Sequence, residues 1–330
     1  MNCSRVSVII PTYNYAQYIC EAINSVLQQN YPTEKIEIIV VDDGSTDNTK
    51  EVLKPFIDQD AIKYYYQQNK GKANATYNGI HKSTGTYIFN LDADDFFFPD
   101  KIAASVKEFE ADKDIVHVAT PAKIIYQETQ LSKIENLPGD ILGKPLDGNW
   151  LLHRLYNSNI LFGGGSTYAA RSSILKVLQI PDAVDMYIDE FLILAVLPFG
   201  KSFFIEQPLS AFRVHASNYS GETFPEEKQI RKRRKLLHSS AAILSYLQNN
   251  EFNDRLVKIY RLQDATRRIA FKESLDEKKT ADIFQFAYEV FFRIQPKWRL
   301  IKKYKVINRL LPSHLLRSLK RIKLMWSVNK

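Results

Sequence analysis

The chain has 330 residues, of which 45% are hydrophobic and 25% are charged. These proportions are ordinary for a globular protein, and they exclude a disordered, a collagen-like or a disulfide-stapled chain. The length exceeds what a single compact core usually holds, so we expect one large domain with an appendage, or two domains.

The net charge of +8 is unevenly distributed along the chain. Residues 1–225 carry 19 basic and 27 acidic side chains, whereas residues 226–330 carry 26 basic and 10 acidic ones. The change predicts a domain boundary near residue 225, between a domain over 1–224 and a basic region over 225–330. It also indicates an anionic partner for the basic region.

Cysteine content and apolar runs indicate the compartment. Cys3 and Cys20 are too few for a disulfide framework, and the first eight residues lack the pattern of a signal peptide. The longest apolar run, 191–199, has nine residues, whereas a membrane span needs about 20. We therefore expect a cytoplasmic protein that meets a membrane only peripherally, on the inner face of the cell membrane.

Strand-like and helix-like patterns alternate through the first 91 residues. Apolar, β-branched runs predict strands over 6–10, 36–41, 62–66 and 87–91, and helical spacing predicts helices over 16–29, 46–56 and 72–83. This alternation predicts an α/β fold, a mostly parallel sheet with helices on both faces. Such sheets bind ligands beyond the carboxyl ends of their strands.

Two acidic segments follow predicted strands. Asp42 and Asp43 follow the second strand, and Asp92, Asp94 and Asp95 follow the fourth. The first segment alone is equally explained as a turn that caps the next helix. Five carboxylates at one edge of a sheet repel one another unless a cation or hydrogen-bond donors offset their charge.

The second acidic segment favours a metal site. Strand alternation would place Asp92 and Asp94 on the same face, where two carboxylates suit Mg²⁺ or Mn²⁺ with open positions for a diphosphate. A helix that starts at Asp94 or Asp95 would explain only one of the three carboxylates.

Three segments carry a family resemblance: Val-Ser-Val-Ile-Ile-Pro-Thr-Tyr-Asn at 6–14, Ile-Val-Val-Asp-Asp-Gly-Ser-Thr-Asp at 39–47, and Leu-Asp-Ala-Asp-Asp at 91–95. With them, residues 4–220 resemble the inverting, nucleotide-sugar-dependent glycosyltransferases of family two, which have the GT-A fold. The resemblance implies that Pro11, Tyr13 and Asp43 hold the nucleotide base. Tyr13 would stack on it and Asp43 would accept its imide hydrogen, which favours uridine.

The resemblance also implies a metal-bound diphosphate. Asp92 would lie near the ribose, and Asp94 would bind the Mn²⁺ or Mg²⁺ ion, with Asp42 and Asp95 in support. Arg213 and His215 match a late Arg-x-His motif, in which His215 completes the metal shell and Arg213 faces phosphate. A single histidine is often only structural, and that alternative stays open.

Inverting transfer needs a base that removes the proton of the acceptor hydroxyl. Counting back from Gly200, the catalytic carboxylate of the family falls on Asp189, but Ile188 replaces the acidic residue before it. Glu190 is therefore the alternative base, and an acidic pair that only complements the helix dipole is a further one. The Gly-Gly-Gly-Ser-Thr segment at 163–167 matches the acceptor loop of the family.

One departure from the family lies in the helix over 72–83. Thr76 and Tyr77 stand where relatives carry Arg and Asn that help seat the nucleotide or metal. Lys70 or Lys72 could supply the missing charge. The departure permits a catalytically impaired relative that acts as a nucleotide-binding scaffold.

The basic region predicts helices over 225–249, 253–271, 278–292, 296–310 and 312–326. Residues 297–330 contain 11 Lys and Arg and no Asp or Glu, interleaved with apolar and aromatic residues. This pattern favours an anionic membrane surface and hence a lipid-linked acceptor. A helix face packed on the catalytic domain is the alternative, and nucleic acid is a third candidate that we do not expect.

The interpretation is a metal-dependent inverting glycosyltransferase that uses a UDP-sugar donor and a glycan or lipid-linked saccharide acceptor. Cell-surface polysaccharide biosynthesis is the process this indicates. A dinucleotide dehydrogenase or phosphate-loop enzyme is disfavoured, because neither glycine-rich motif occurs.

Overall fold

The computed structural model describes residues 3–158, 164–216, 218, 226–250, 252–273, 282 and 286. The strands in these ranges are β1 Val6–Thr12, β2 Ile36–Asp42, β3 Lys63–Tyr66, β4 Tyr87–Asn90, β5 Phe96–Phe97, β6 Ile115–Ala119, β7 Ala122–Tyr126, β8 Leu131–Ile134, β9 Pro145–Asp147, β10 Tyr168–Arg171, β11 Lys201–Phe204 and β12 Ser210–Val214. The α-helices are α1 Ala16–Leu27, α2 Thr49–Asp58, α3 Lys72–Lys82, α4 Lys101–Ala111, α5 Gly148–Ser158, α6 Ser172–Leu175, α7 Ile188–Val196, α8 Glu226–Asn249 and α9 Asp254–Glu273.

The larger sheet has eight strands in the order β3-β2-β1-β4-β10-β6-β11-β9. Its first four strands are parallel, as the alternating pattern predicts. Strand β10 runs antiparallel to both β4 and β6, and β9 runs antiparallel to β11, so the second half of the sheet is mixed. The carboxyl ends of β1, β2 and β4 meet at one edge.

A smaller sheet, in the order β5-β12-β7-β8, lies next to that edge. Strand β5 begins directly after Asp95, and it pairs antiparallel with β12. This pairing brings Arg213 and His215, at the end of β12, beside the acidic segment that follows β4. Residues more than 100 positions apart in sequence thus become neighbours.

Helices cover both faces of the larger sheet, as predicted. Side chains of β1 alternate between two hydrophobic clusters, since Val8 and Ile10 pack with α1 and α4, whereas Ile9 packs with α3 and α7. The helix predicted from residue 46 begins only at Thr49, because residues 43–48 form the loop after β2, in which Asp47 Oδ1 accepts the Thr49 N–H at 3.1 Å.

Helices α8 and α9 confirm the predicted helices over 225–249 and 253–271. Their buried side chains Ile243, Leu247, Leu256 and Tyr260 belong to the same hydrophobic cluster as α5 and α7. The described part of the basic region therefore packs against α5 and α7. The helices predicted over 278–292, 296–310 and 312–326 lie outside the described residues, apart from Asp282 and Phe286. No described helix is long and apolar enough to cross a membrane.

Candidate active site

Three carboxylates converge in the turn after β4, which we call the acidic turn (Asp92, Asp94 and Asp95). One oxygen of each lies within 4.8 Å of the others. Strand alternation is the wrong explanation for this convergence, because β4 ends at Asn90, before either Asp92 or Asp94. Instead a tight turn gathers them, in which the Asp95 N–H donates to the Asp92 carbonyl at 3.0 Å.

Asp94 lies against a histidine, as the family motif implies. His215 Nε2 is 3.1 Å from Asp94 Oδ2, and the Asn218 amide donates to the same oxygen at 3.0 Å. Neighbouring ligands on an octahedral cation with bonds of about 2.1 Å are about 3 Å apart, so this spacing fits one Mg²⁺ or Mn²⁺ ion. The carboxylate oxygens of the acidic turn are of the kind that suits these ions. Asn218 was not predicted, and no motif marks it.

Arg213 braces the acidic turn. Its backbone N–H donates to Asp95 Oδ1 at 2.9 Å, and its Nε donates to the Asp94 carbonyl at 2.9 Å. The guanidinium lies between the rings of Tyr18 and Phe96 and pairs with Glu21 Oε2 at 2.6 Å. These contacts account for the position of Arg213 next to the site, and a contact with phosphate stays a prediction.

Ser166 joins the acidic turn to the loop before β10. Its hydroxyl donates to Asp95 Oδ2 at 2.6 Å and accepts the Asp92 N–H at 3.0 Å. Asp95 is buried, and this burial, with repulsion from Asp94 and Asp92, raises its pKa well above the usual value. A cluster of this kind favours a bound cation.

Lys72 links the acidic turn to α7. Its Nζ lies 2.8 Å from Asp92 Oδ1 and 3.1 Å from Asp189 Oδ2. Burial raises the pKa of Asp92 to about 6, with Lys72 opposing the rise and Asp189 and Asp94 adding to it. Of the two lysines considered from sequence, Lys72 is therefore the one whose charge faces the acidic turn. The two residues of α3 that depart from the family pattern make other contacts: Thr76 is buried, and the centre of the Tyr77 ring lies 4.0 Å from that of the His81 ring.

Gly165 lies between the acidic turn and Asp189. A Cβ atom at this position would lie 2.6 Å from Asp189 Oδ1 and 3.2 Å from Asp92 Oδ1. The first distance is too short for two non-bonded atoms and the second is tight, so a side chain at this position would displace the carboxylate of Asp189. Gly163, which the sequence places in the same loop, lies outside the described residues.

The residues assigned to the nucleotide base lie at the ends of β1 and β2. Tyr13 is 45% exposed and so accessible to a stacking partner, whereas Pro11 is buried within β1. Asp43 accepts the N–H groups of Lys70 and Gly71, both at 2.8 Å, and the Gln67 amide at 2.7 Å. A carboxylate accepts about four hydrogen bonds, which leaves one for a ligand.

Asp42 stabilises the turn after β2 but does not cap α2, whose first N–H, that of Thr49, donates to Asp47 Oδ1. It accepts the Ser45 N–H and the Tyr64 hydroxyl, both at 2.8 Å. The acidic pair at the start of α7 divides in the same way, because Asp189 contacts Lys72 while Glu190 pairs with Arg267 of α9 at 2.9 Å. Arg267 was not predicted, since the sequence offers only its membership in the basic region.

This fold and its acidic turn define the class of the protein, a glycosyltransferase of the GT-A fold. A family model described as Glycosyl transferase family 2 matches residues 7–176, just over half of the chain, and the chain belongs to that family. It is 32% identical over 260 residues to an uncharacterized glycosyltransferase of Nostoc sp., a match that covers 77% of this chain and 76% of the relative.

Other curated relatives match over shorter segments. The glycosyltransferase GlyG of Streptococcus pneumoniae is 40% identical over 114 residues, which cover 34% of this chain and 37% of that one. Chondroitin synthase of Escherichia coli is 34% identical over 127 residues, which cover 38% of this chain and 18% of the synthase. The match thus spans well under half the length of either of these two proteins.

Solved structures share the fold. S. aureus TarS 1–349 in complex with UDP-GlcNAc has a TM-score of 0.62 at 16% identity, over 87% of this chain and 79% of TarS 1–349. The mannosyltransferase PcManGT of Pyrobaculum calidifontis, in complex with GDP-Man and Mn²⁺, has a TM-score of 0.54 at 18% identity, over 94% of this chain and 88% of that one.

Proposed function

We propose that this glycosyltransferase is metal-dependent and inverting, and that it moves a sugar from a UDP-sugar to a hydroxyl of a glycan or lipid-linked saccharide. The observation that carries the proposal is the contact of one side chain, Lys72, with both Asp92 and Asp189. Because of it, the carboxylates suited to a metal and the carboxylate suited to proton transfer belong to one site.

Asp94 and His215 would hold the cation, with Asp92 and Asp95 beside them. A bound Mg²⁺ or Mn²⁺ supplies neutralisation of the charge that develops on the departing diphosphate. Tyr13 would stack on the base, Asp43 would accept its imide hydrogen through its remaining position, and Asp92 would lie near the ribose. Arg213 keeps the acidic turn in place, and a contact of its guanidinium with phosphate is part of the proposal.

Asp189 is the proposed base. It takes the proton of the acceptor hydroxyl while that oxygen bonds to the anomeric carbon and the bond from this carbon to the diphosphate breaks. Attack from the face opposite the diphosphate inverts the centre, so an α-linked donor gives a β-linked product. Asp189 is favoured over Glu190, because both oxygens of Glu190 accept hydrogen bonds from Arg267, at 3.0 and 2.9 Å.

The donor is the part of the proposal that a binding experiment tests first. TarS binds UDP-GlcNAc and PcManGT binds GDP-Man with Mn²⁺, so proteins of this fold accept either nucleotide. Thermal unfolding should be followed with UDP or GDP, each with and without Mn²⁺. We expect UDP with Mn²⁺ to stabilise the protein, by about 2.7 kcal/mol at a ligand concentration of a hundred times Kd.

Asp94→Ala should remove the stabilisation by UDP with Mn²⁺. Asp140→Ala is the matched control, because this carboxylate pairs with Arg154 away from the acidic turn. Stabilisation that does not depend on metal, or that persists in Asp94→Ala, would contradict the metal site. Binding without transfer to any acceptor, in the wild-type protein, would instead favour the scaffold function.

A peripheral position on an anionic membrane belongs to the same proposal. It is supported by the composition of residues 297–330, with 11 basic and no acidic residues. Truncation near residue 220 is unsuitable as a test, because α8 and α9 complete the hydrophobic core. Full-length variants should be compared instead in sedimentation with vesicles that contain phosphatidylglycerol.

The test variant replaces four cations of the basic region with Gln: Arg317, Lys320, Arg321 and Lys323. Each cation near an anionic surface contributes about 1 kcal/mol, so the loss of four should weaken binding by about a thousandfold. The control variant replaces four exposed lysines of the catalytic domain: Lys50, Lys54, Lys107 and Lys113. Equal binding of the two variants would refute the membrane-surface assignment.

A further inference from the structure

The two acidic residues that open α7 point in different directions. They are consecutive, and consecutive side chains of a helix are about 100° apart around its axis. Asp189 Oδ2 lies 3.1 Å from Lys72, at the active site. Glu190 instead accepts the Tyr156 hydroxyl at 2.7 Å and two hydrogen bonds from the Arg267 guanidinium. The same helical turn therefore joins the proposed base to a residue of α9.

The contact between Glu190 and Arg267 has the geometry of a rigid anchor. One guanidinium nitrogen of Arg267 contacts both carboxylate oxygens, and the other donates to the Tyr260 hydroxyl at 3.1 Å. The guanidinium also lies 4.0 Å from the centre of the Tyr187 ring, next to the first residue of α7. Both partners are largely buried, with side chains 11% and 20% exposed. Because the ion pair is buried and hydrogen-bonded, the side chains of Glu190 and Arg267 have few alternative conformations.

Helix α8 holds the segment that leads into α7. The Ser239 hydroxyl donates to the Ala183 carbonyl and accepts the N–H groups of Asp185 and Met186, at 3.0–3.2 Å. Lys235 pairs with Asp185 Oδ2 at 2.8 Å. The two C-terminal helices thus contact both the approach to α7 and its first turn.

We propose that Arg267 is a positioning residue for transfer, which acts through Glu190 to hold Asp189 at the acceptor. Helices α8 and α9 are then part of the catalytic unit and not only a connection to the basic tail. The inference rests on the proposed role of Asp189 as base. A displacement of about 1 Å at a reacting group costs about a hundredfold in rate, so loss of the anchor has a measurable effect.

The test is a mutant cycle measured in steady-state transfer. Arg267→Met should lower kcat by about tenfold to a hundredfold and change the donor KM less than twofold, because the nucleotide residues lie at β1 and β2. Arg267→Lys keeps the charge but loses the planar guanidinium, so its kcat should lie between that of the wild type and that of Arg267→Met. In an Asp189→Asn background, Arg267→Met should lower the residual rate less than twofold, since no base remains to be positioned.

The matched control is Arg268→Met. Arg268 is the next residue of α9, and its ion pairs are with Asp264 and Asp282, not with α7. It should leave kcat within twofold of the wild type even where it lowers thermal stability. If Arg267→Met lowers kcat equally with and without Asp189, or if Arg268→Met lowers it as much, Arg267 is only structural and the proposal is overturned.

The same measurements distinguish a refutation of the proposed function from a refutation of the positioning role of Arg267. Full activity of Asp189→Asn would refute the base assignment and with it the role of Arg267. A large loss in Asp189→Asn together with an unchanged kcat in Arg267→Met and Arg267→Lys would refute the positioning role alone.

Discussion

Two charged clusters flank the first turn of α7, and they differ in their balance of charge. At the acidic turn, three carboxylates and Asp189 face the cation of Lys72, with His215 beside Asp94. On the other side, the single carboxylate of Glu190 faces the single guanidinium of Arg267, with tyrosine hydroxyls completing the hydrogen bonds. The first cluster has excess negative charge, and the second is neutral.

We interpret the first cluster as a ligand site and the second as a structural one. Burial, together with repulsion from the neighbouring carboxylates, raises the pKa of Asp92 to about 6 and raises that of Asp95, so the acidic turn destabilises the ligand-free fold. A protein keeps such a cluster where a cation or substrate completes it. The neutral cluster needs no ligand, and its role is to fix the geometry of α7.

The largest effect is expected from a substitution of Asp189, which lies on the side of α7 that faces the acidic turn. Asp189→Asn keeps the shape of the side chain but removes the proposed base, so kcat should fall by about 10²–10⁴-fold. Stabilisation by UDP with Mn²⁺ should persist, because Asp94 and His215 are intact. Steady-state kinetics and thermal unfolding of the same preparation check both expectations. A fall in kcat below tenfold would indicate that another group takes the proton.

A smaller effect is expected at the cation that partly balances the acidic turn. Lys72→Gln removes the charge that lowers the pKa of Asp92, so this pKa should rise above about 6. If transfer needs ionised Asp92, the acidic limb of the pH–rate profile moves to higher pH. A shift of one unit gives about a tenfold lower rate below pH 6. Lys82→Gln is the control, since Lys82 lies over the Tyr65 ring. Identical profiles for the two variants would contradict this role of Lys72.

The smallest expected effect concerns stability without ligand. A carboxyl whose pKa is raised by folding costs stability as pH rises from its unfolded value, about 4, through its folded value, about 6. Asp92→Asn lacks this cost, so it should be more stable than the wild type by about 1–3 kcal/mol at pH 7.5 and about equal at pH 4. Urea unfolding in the presence of a chelator measures the difference. A variant less stable at pH 7.5 would show that the acidic turn is already balanced without metal.

Much of the parallel half of the sheet could be predicted from the sequence. Its strands are short apolar runs separated by helical patterns, and both signals are local. The acidic turn was predicted for the same reason, since Asp92, Asp94 and Asp95 are nearly consecutive. The way in which these carboxylates converge was not predicted, because a sequence of five residues does not distinguish a turn from the end of a strand.

The remaining contacts join residues that are distant in sequence. The pair of Glu190 with Arg267 spans 77 residues, and the contact of Asn218 with Asp94 spans 124. No local pattern marks either partner, and Arg267 is one of 26 basic residues in the last third of the chain. Their assignment required the packing of α9 on α7 and the pairing of β5 with β12.

Gly165 sets a practical limit on redesign of this enzyme. Its missing side chain leaves a gap between Asp189 and the acidic turn that is narrower than a methyl group. A variant library that seeks new acceptors can therefore change the surroundings of this loop and keep residue 165 as glycine. A methyl group at residue 165 would press on the carboxylate of Asp189, the proposed base, so Gly165→Ala is expected to lower transfer.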